Sequence, residues 1–201
     1  MLKRARCTIY LAQESDTLGK DSELASTLAQ GKPVIAFVPE VTSAFFDLVW
    51  TTFEKTRNGG ETDHNLLMRL LRIYEPDSAW NDAAIRREID TPSHDLSSLK
   101  TRASEAMKAH YDKRAKTLKE DHPLGLQSNL ISGVANGVLV ARSVETCARL
   151  LSQILLNRVV FRVEDSNGYV FLREELTDCI FRVMTADKLL TNSFWNFYPN
   201  L

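Results

Sequence analysis

The sequence predicts an α/β fold: a parallel sheet, then a helical insertion, then a β-rich C-terminal part. Two apolar runs of strand length, Cys7 to Ala12 (CTIYLA) and Pro33 to Val38 (PVIAFV), carry the first part of that expectation. Between them, Asp21 to Gln30 sets Leu24, Ala25, Leu28 and Ala29 on one helical face, and Gly31 stands where a C-cap glycine belongs. Pro33 cannot extend that helix, so it opens the second strand. A strand–loop–helix–strand unit this short favours a parallel pair with a right-handed crossover, which is a partial Rossmann-like sheet.

The rest of the chain divides by pattern. Thr42 to Thr56 and Glu61 to Tyr74 read as two helices around the Asn58-Gly59-Gly60 break. Leu66, Leu67, Leu70, Leu71 and Tyr74 form the apolar stripe of the second, which Pro76 ends. A shorter helix is expected from Ser78 to Ile89, stopped near Thr91-Pro92. Asp95 to Glu120 reads as a long helix with Asp95 as N-cap and a seam of Leu96, Leu99, Ala103, Ala106 and His110. Its lysines and arginines suggest a solvated face, or else an anion or partner contact. After a GVANG turn, Val138 to Ala141 is expected to be a strand, and Ser143 to cap a helix running through Leu156. Val159 to Val163 and Tyr169 to Leu172 flank Asp165-Ser166-Asn167-Gly168, a hairpin signal, and Ile180 to Met184 reads as a further strand. This partition gives a Rossmann-like nucleotide-handling unit over 1–56, a helical region over 57–122 and a mixed α/β part over 123–201.

Composition narrows the function classes. The chain has 201 residues, 44% of them apolar, enough to bury a core. A net charge of −1 gives no sign of a nucleic-acid surface. Cys7, Cys147 and Cys179 are odd in number and widely spaced, which argues for reduced thiols rather than disulfides or zinc, and so for a cytoplasmic protein. No apolar run approaches the roughly 20 residues that span a bilayer. The histidines His64, His94, His110 and His122 lack ligand spacing and read as surface or capping residues; no metal is expected. No GxGxxG, P-loop, HExxH or GxSxG motif occurs. Trp50 and Trp80 read as core, and the aromatic tail with Phe194, Trp195, Phe197 and Tyr198 as packed on the domain or docked on a partner.

The informative stretch is Thr8 to Pro39, TIYLAQESDTLGKDSELASTLAQGKPVIAFVP. A strand, a polar loop, a helix with Glu23 in its first turn and then GKPVI resemble TIR domains of the NAD-cleaving kind. The stretch is similar also to nucleoside 2-deoxyribosyltransferases and related nucleotide-sensing modules. The resemblance implies cleavage of the N-glycosidic bond of NAD or another nucleotide, with bacterial stress or antiphage signalling as the setting. It implies sensing of a nucleotide without turnover as the alternative. Glu23 matches the glutamate those families present at the pocket mouth. A carboxylate there can stabilise, or attack, the cationic ribose formed as the base departs. In the same region Ser15 and Asp16 could bond a ribose hydroxyl, Lys20 could reach a phosphate, and Gln13 could reach the pocket from the first strand. In those families another strand and helix precede this unit, whereas MLKRAR reads as the end of a preceding helix. Either the chain is therefore truncated, or later strands, a second copy or a partner chain are expected to complete the pocket.

Overall fold

The computed structural model describes residues 4–13, 18–30, 32–77, 82, 83, 85, 87, 96–120, 138–166 and 169–182. In chain order its elements are β1 (Thr8–Leu11), α1 (Leu18–Ala29), β2 (Val34–Phe37), α2 (Ser43–Glu54), α3 (Asp63–Tyr74), α4 (Ser97–Glu120), β3 (Leu139–Ala141), α5 (Val144–Leu155), β4 (Phe161–Ser166), β5 (Tyr169–Glu174) and β6 (Ile180–Arg182). The chain divides into two compact units, one of residues 1–39 and 114–201 and one of residues 40–113.

The first unit holds both sheets. β1, β2 and β3 lie in that order, and both pairings are parallel, with Thr8 beside Val34 and Ile35 beside Leu139. The α/β fold with a partial Rossmann-like parallel sheet is therefore the observed one. β2 reads VIAF without alternation because it is covered on both faces, and Val34, Ile35 and Ala36 are wholly buried. Residues paired in register point to one face. Thr8, Tyr10, Val34 and Ala36 therefore share the side that α1 covers, where the Thr8 and Thr27 hydroxyls are bonded at 2.9 Å. Leu24 and Leu28 are the buried stripe of α1. Ile35, Phe37, Leu139 and Ala141 face the other side, toward α5.

α5 begins as its sequence predicts, with the Ser143 side chain accepting from the Thr146 N–H, and it buries Leu150 and Ile154. β4, β5 and β6 form a separate antiparallel sheet, and Ser166 pairs with Tyr169 across the two-residue connection that Asn-Gly signalled. Phe161 and Phe181 meet edge to face at 5.3 Å in its core. The buried Glu174 carboxylate accepts the N–H groups of Leu176 and Thr177 and so fixes the turn that carries Asp178 at φ 57° into β6.

The second unit is helical among its described residues. Thr42 and Thr62 cap α2 and α3. The α3 stripe is buried as its spacing requires, and it includes His64, which the sequence suggested as a surface or capping residue and which is buried in the first turn. His110 is also drawn inward, with its ring 5.5 Å from both Tyr74 and Tyr111. The α4 seam runs through Leu99, Ala103, Ala106, Met107 and Tyr111, then continues as Ala115 and Leu118 in the residues belonging to the first unit.

Five basic residues of α4 make contacts within the chain. Arg102 pairs with Glu75 and Asp82, Lys100 with Asp47, and Lys108 with Asp112. Nearer its end, Arg114 donates to the Tyr10 hydroxyl and Lys119 to the Thr177 carbonyl. Most of the helix expected over 78–89, the Asp95 cap, Trp80, His94, His122, the GVANG turn and the aromatic tail lie outside the described residues.

The buried stripe of α1 gives a direct test. Leu24 is 2% exposed and Leu48, on α2, is 64% exposed. Leu24→Ala should destabilise the chain by about 2–5 kcal/mol, and Leu48→Ala by no more than about 0.5 kcal/mol, as read from urea unfolding midpoints.

Candidate functional site

Open α/β sheets bind ligands beyond the carboxyl ends of their strands, where successive helices leave for opposite faces. Here α1 leaves β1 for one face and α5 leaves β3 for the other, with the end of β2 between them. Val38 continues β2 by donating its N–H to the Ala141 carbonyl at 2.9 Å. Beyond it, the Arg142 guanidinium donates to the Pro39 carbonyl at 3.3 Å. A cationic group thus stands at the carboxyl end of the sheet. Sequence reasoning missed Arg142, because only the strand pairing sets the end of β3 beside the end of β2.

Gln13 is exposed just after β1. Ser15 and Asp16 lie outside the described residues, and Lys20 lies in the first turn of α1. Glu23 is exposed on α1, beside the buried Leu24. The helix starts at Leu18, three residues before the expected Asp21, so Glu23 falls in the second turn rather than the first. Gly19 and Asp21 are poor helix formers, by up to about 1 kcal/mol each, and burial of Leu24 and Leu28 on the sheet outweighs them. The helix dipole acts on a side chain mainly within the first turn, so it gives Glu23 little.

Among the described residues nothing bonds the Glu23 carboxylate, while its backbone carbonyl is held by the Thr27 hydroxyl at 2.8 Å. Thr27 is 1% exposed and bonds Thr8 as well, so the helix turn under Glu23 is pinned to β1. That pairing was also illegible in the chain, since a threonine inside a helix carries no signal of a partner on a strand. The structure thus fixes the backbone at Glu23 and leaves its carboxylate open to solvent.

Two hollows are lined by described residues. An open groove of about 390 Å³ lies on the α5 side of the parallel sheet, lined by Ile9, Leu11, Phe37, Val144, Cys147, Ala148 and Leu151. A second hollow, of about 240 Å³ on α3, is lined by residues including Glu61, His64, Met68, Arg69 and Arg72, and Arg69 is already paired with Glu61 and Thr56. Among the described residues no group of three or more His, Cys, Asp or Glu side chains could hold a metal ion. No helix among them is long and apolar enough to cross a membrane. Comparison of the chain with models of protein families, with curated proteins and with solved structures finds no match.

The start of α5 borders this end of the sheet and can be probed separately. A hydrogen bond from its own backbone, then one from Ser143, holds the exposed Glu145 carboxyl below the ordinary glutamate range. A depressed folded pKa stabilises the folded chain above the unfolded value, and that contribution is lost as pH falls through the folded one. Ser143→Ala should move the Glu145 titration up toward the ordinary range in an NMR pH series. It should also cost about 0.5–2 kcal/mol through the lost cap.

Proposed function

We propose that this chain handles a nucleotide at the carboxyl end of its parallel sheet and cleaves its N-glycosidic bond, with Glu23 as the carboxylate. The observation that carries this reading is the parallel β1–α1–β2 unit, which sets Glu23 on the helix that leaves the ligand-binding end of β1. Its carboxylate is exposed and bonds no described residue, so it is available to a ligand. Gln13, Ser15, Asp16 and Lys20 follow β1 in the chain and are the groups proposed to contact ribose and phosphate. Arg142, at the end of β3, adds a cation suited to phosphate.

The reaction is hydrolytic. The bond from the ribose anomeric carbon to the base nitrogen breaks, the base leaves with the electron pair, and water supplies the hydroxyl, its other proton going to solvent where nicotinamide leaves neutral or to the base where that leaves as an anion. Glu23 offsets the positive charge that builds on the ribose. Nucleotide sensing without turnover is the second reading. One observation favours it: no described side chain orients the Glu23 carboxylate, and a preorganised catalytic group is normally held by others.

Incubation with NAD and measurement of nicotinamide release separates the two, with nucleotide binding followed by calorimetry. Glu23→Gln should lower turnover by about 10²–10³ while leaving nucleotide affinity nearly unchanged. Its melting should shift by no more than about 0.5 kcal/mol in stability, because the side chain is exposed. Undiminished turnover in that variant would remove Glu23 from the mechanism. Binding without release of any base by the wild-type chain would establish the sensor.

A further inference from the structure

The Asn58-Gly59-Gly60 break, which the nucleotide reading does not use, joins α2 to α3 through a tight turn. The Glu61 N–H donates to the Asn58 carbonyl at 3.0 Å, and Gly60 stands at φ 84°. This is the pattern of a type II turn, whose third residue must take a left-handed conformation and so favours glycine. Its second residue has no such need. Gly59 lies outside the left-handed region, and a Cβ built on it meets nothing within 4 Å. Backbone geometry therefore asks for Gly60 and not for Gly59.

Gly59 has a chemical consequence instead. Asn58 and Gly59 are both exposed. Among the described residues nothing bonds the Asn58 carboxamide, and the Gly59 N–H donates to no group. The bonds of Asn58 run through its backbone, its carbonyl to the Glu61 N–H and its own N–H to the Glu61 carboxylate at 3.2 Å. An unbonded backbone nitrogen, on a residue with no side chain to shield it, thus follows an unbonded carboxamide. Asn65 is the contrast. It lies in α3, and the nitrogen that follows it is engaged, because the Leu66 N–H donates to the Thr62 carbonyl at 3.1 Å.

We propose that Asn58 is a modification site: the folded chain converts it through a cyclic imide to aspartate and isoaspartate, and the product opens the turn that leads into α3. The Gly59 nitrogen loses its proton to solvent base and attacks the side-chain carbonyl carbon of Asn58. The new N–C bond forms, the bond to the amide nitrogen breaks, and ammonia leaves with a proton from solvent. Water then opens the ring at either carbonyl, and no oxidant or reductant takes part.

The product carries a negative charge where a neutral amide stood. It stands beside the Glu61 carboxylate, which the Asn58 N–H and Arg69 hold, and like charges repel. In isoaspartate the main chain also runs through the former side chain, so the carbonyl that accepts from Glu61 leaves the main chain. Both changes act just ahead of Thr62, the cap of α3.

Incubation of the full chain in mildly alkaline buffer, followed by peptide mapping, tests this. The peptide holding Asn58 should gain about one dalton, and part of it should accept a methyl label from an isoaspartate-specific methyltransferase. Mapping separates this site from the Asn-Gly pairs at 136–137 and 167–168, which lie outside the described residues. The folded chain should react at Asn58 within about threefold of the rate in guanidinium, because the turn leaves both reacting groups unbonded. Gly59→Ala should slow the reaction by about tenfold or more, since a Cβ restricts the backbone that must close the ring. Its melting temperature should not fall, because the Cβ has room. In the isoaspartate form the Glu61 amide should exchange faster than in the unmodified chain. An Asn58 that stays intact in the folded chain while it reacts in guanidinium overturns the proposal, and so does a Gly59→Ala chain that reacts as fast as the wild type. A Glu61 amide equally protected before and after conversion overturns the opening of the turn.

Discussion

β2 lies between two parallel neighbours, and the rest of the first unit is arranged around keeping it dry. Val34, Ile35 and Ala36 have no exposure, which is possible only if both faces of the sheet are covered and both edges of β2 are paired. α1 covers one face through Leu24 and Leu28, and α5 covers the other through Leu150 and Ile154. Chain segments about a hundred residues apart in sequence, β2 and β3, are therefore held in one hydrogen-bonded ladder. The helix termini and loops at the end of that ladder inherit their positions from it. Arg142 reaches Pro39 for this reason, and Glu23 sits where it does because Thr27 ties its turn to Thr8.

Coverage of the sheet is uneven, and the unevenness carries chemical meaning. β2 and β3 are buried, whereas β1 exposes every other side chain. The polar and apolar features of the unit separate accordingly. Arg142 stands at the carboxyl end of the sheet, while the residues lining the groove beside β1 are uncharged.

Charge is otherwise spent inside the molecule. A helix with as many lysines and arginines as α4 looks like a surface for anions, but the bonded partners of Arg102, Lys100, Lys108, Arg114 and Lys119 are groups of this chain. Each such exposed or half-buried pair is worth up to about 1 kcal/mol, so they set geometry more than stability. His64 shows the same limit of reading by type: as a polar residue it looks like surface, yet its place on the α3 stripe commits it to the interior.

The sequence by itself determined the local elements. Period-two and period-3.6 patterns, Ser143 as a cap, and Asn-Gly between two strands are short-range signals, and each acts within a few residues of itself. They made β1, β2, β3, α5 and the β4–β5 hairpin legible, along with the parallel β1–β2 pair that a short crossover imposes. The start of α1 was less legible, because Gly19 and Asp21 argue locally against helix while Leu24 and Leu28 gain their stability only on the sheet. Tertiary structure alone decided what depends on distant partners. It brought Arg142 to Pro39, Thr27 to Thr8 and Cys179 to the edge of β3. A hydrogen bond between residues far apart in the chain is chosen by packing, and no pattern along the chain encodes which groups packing will bring together.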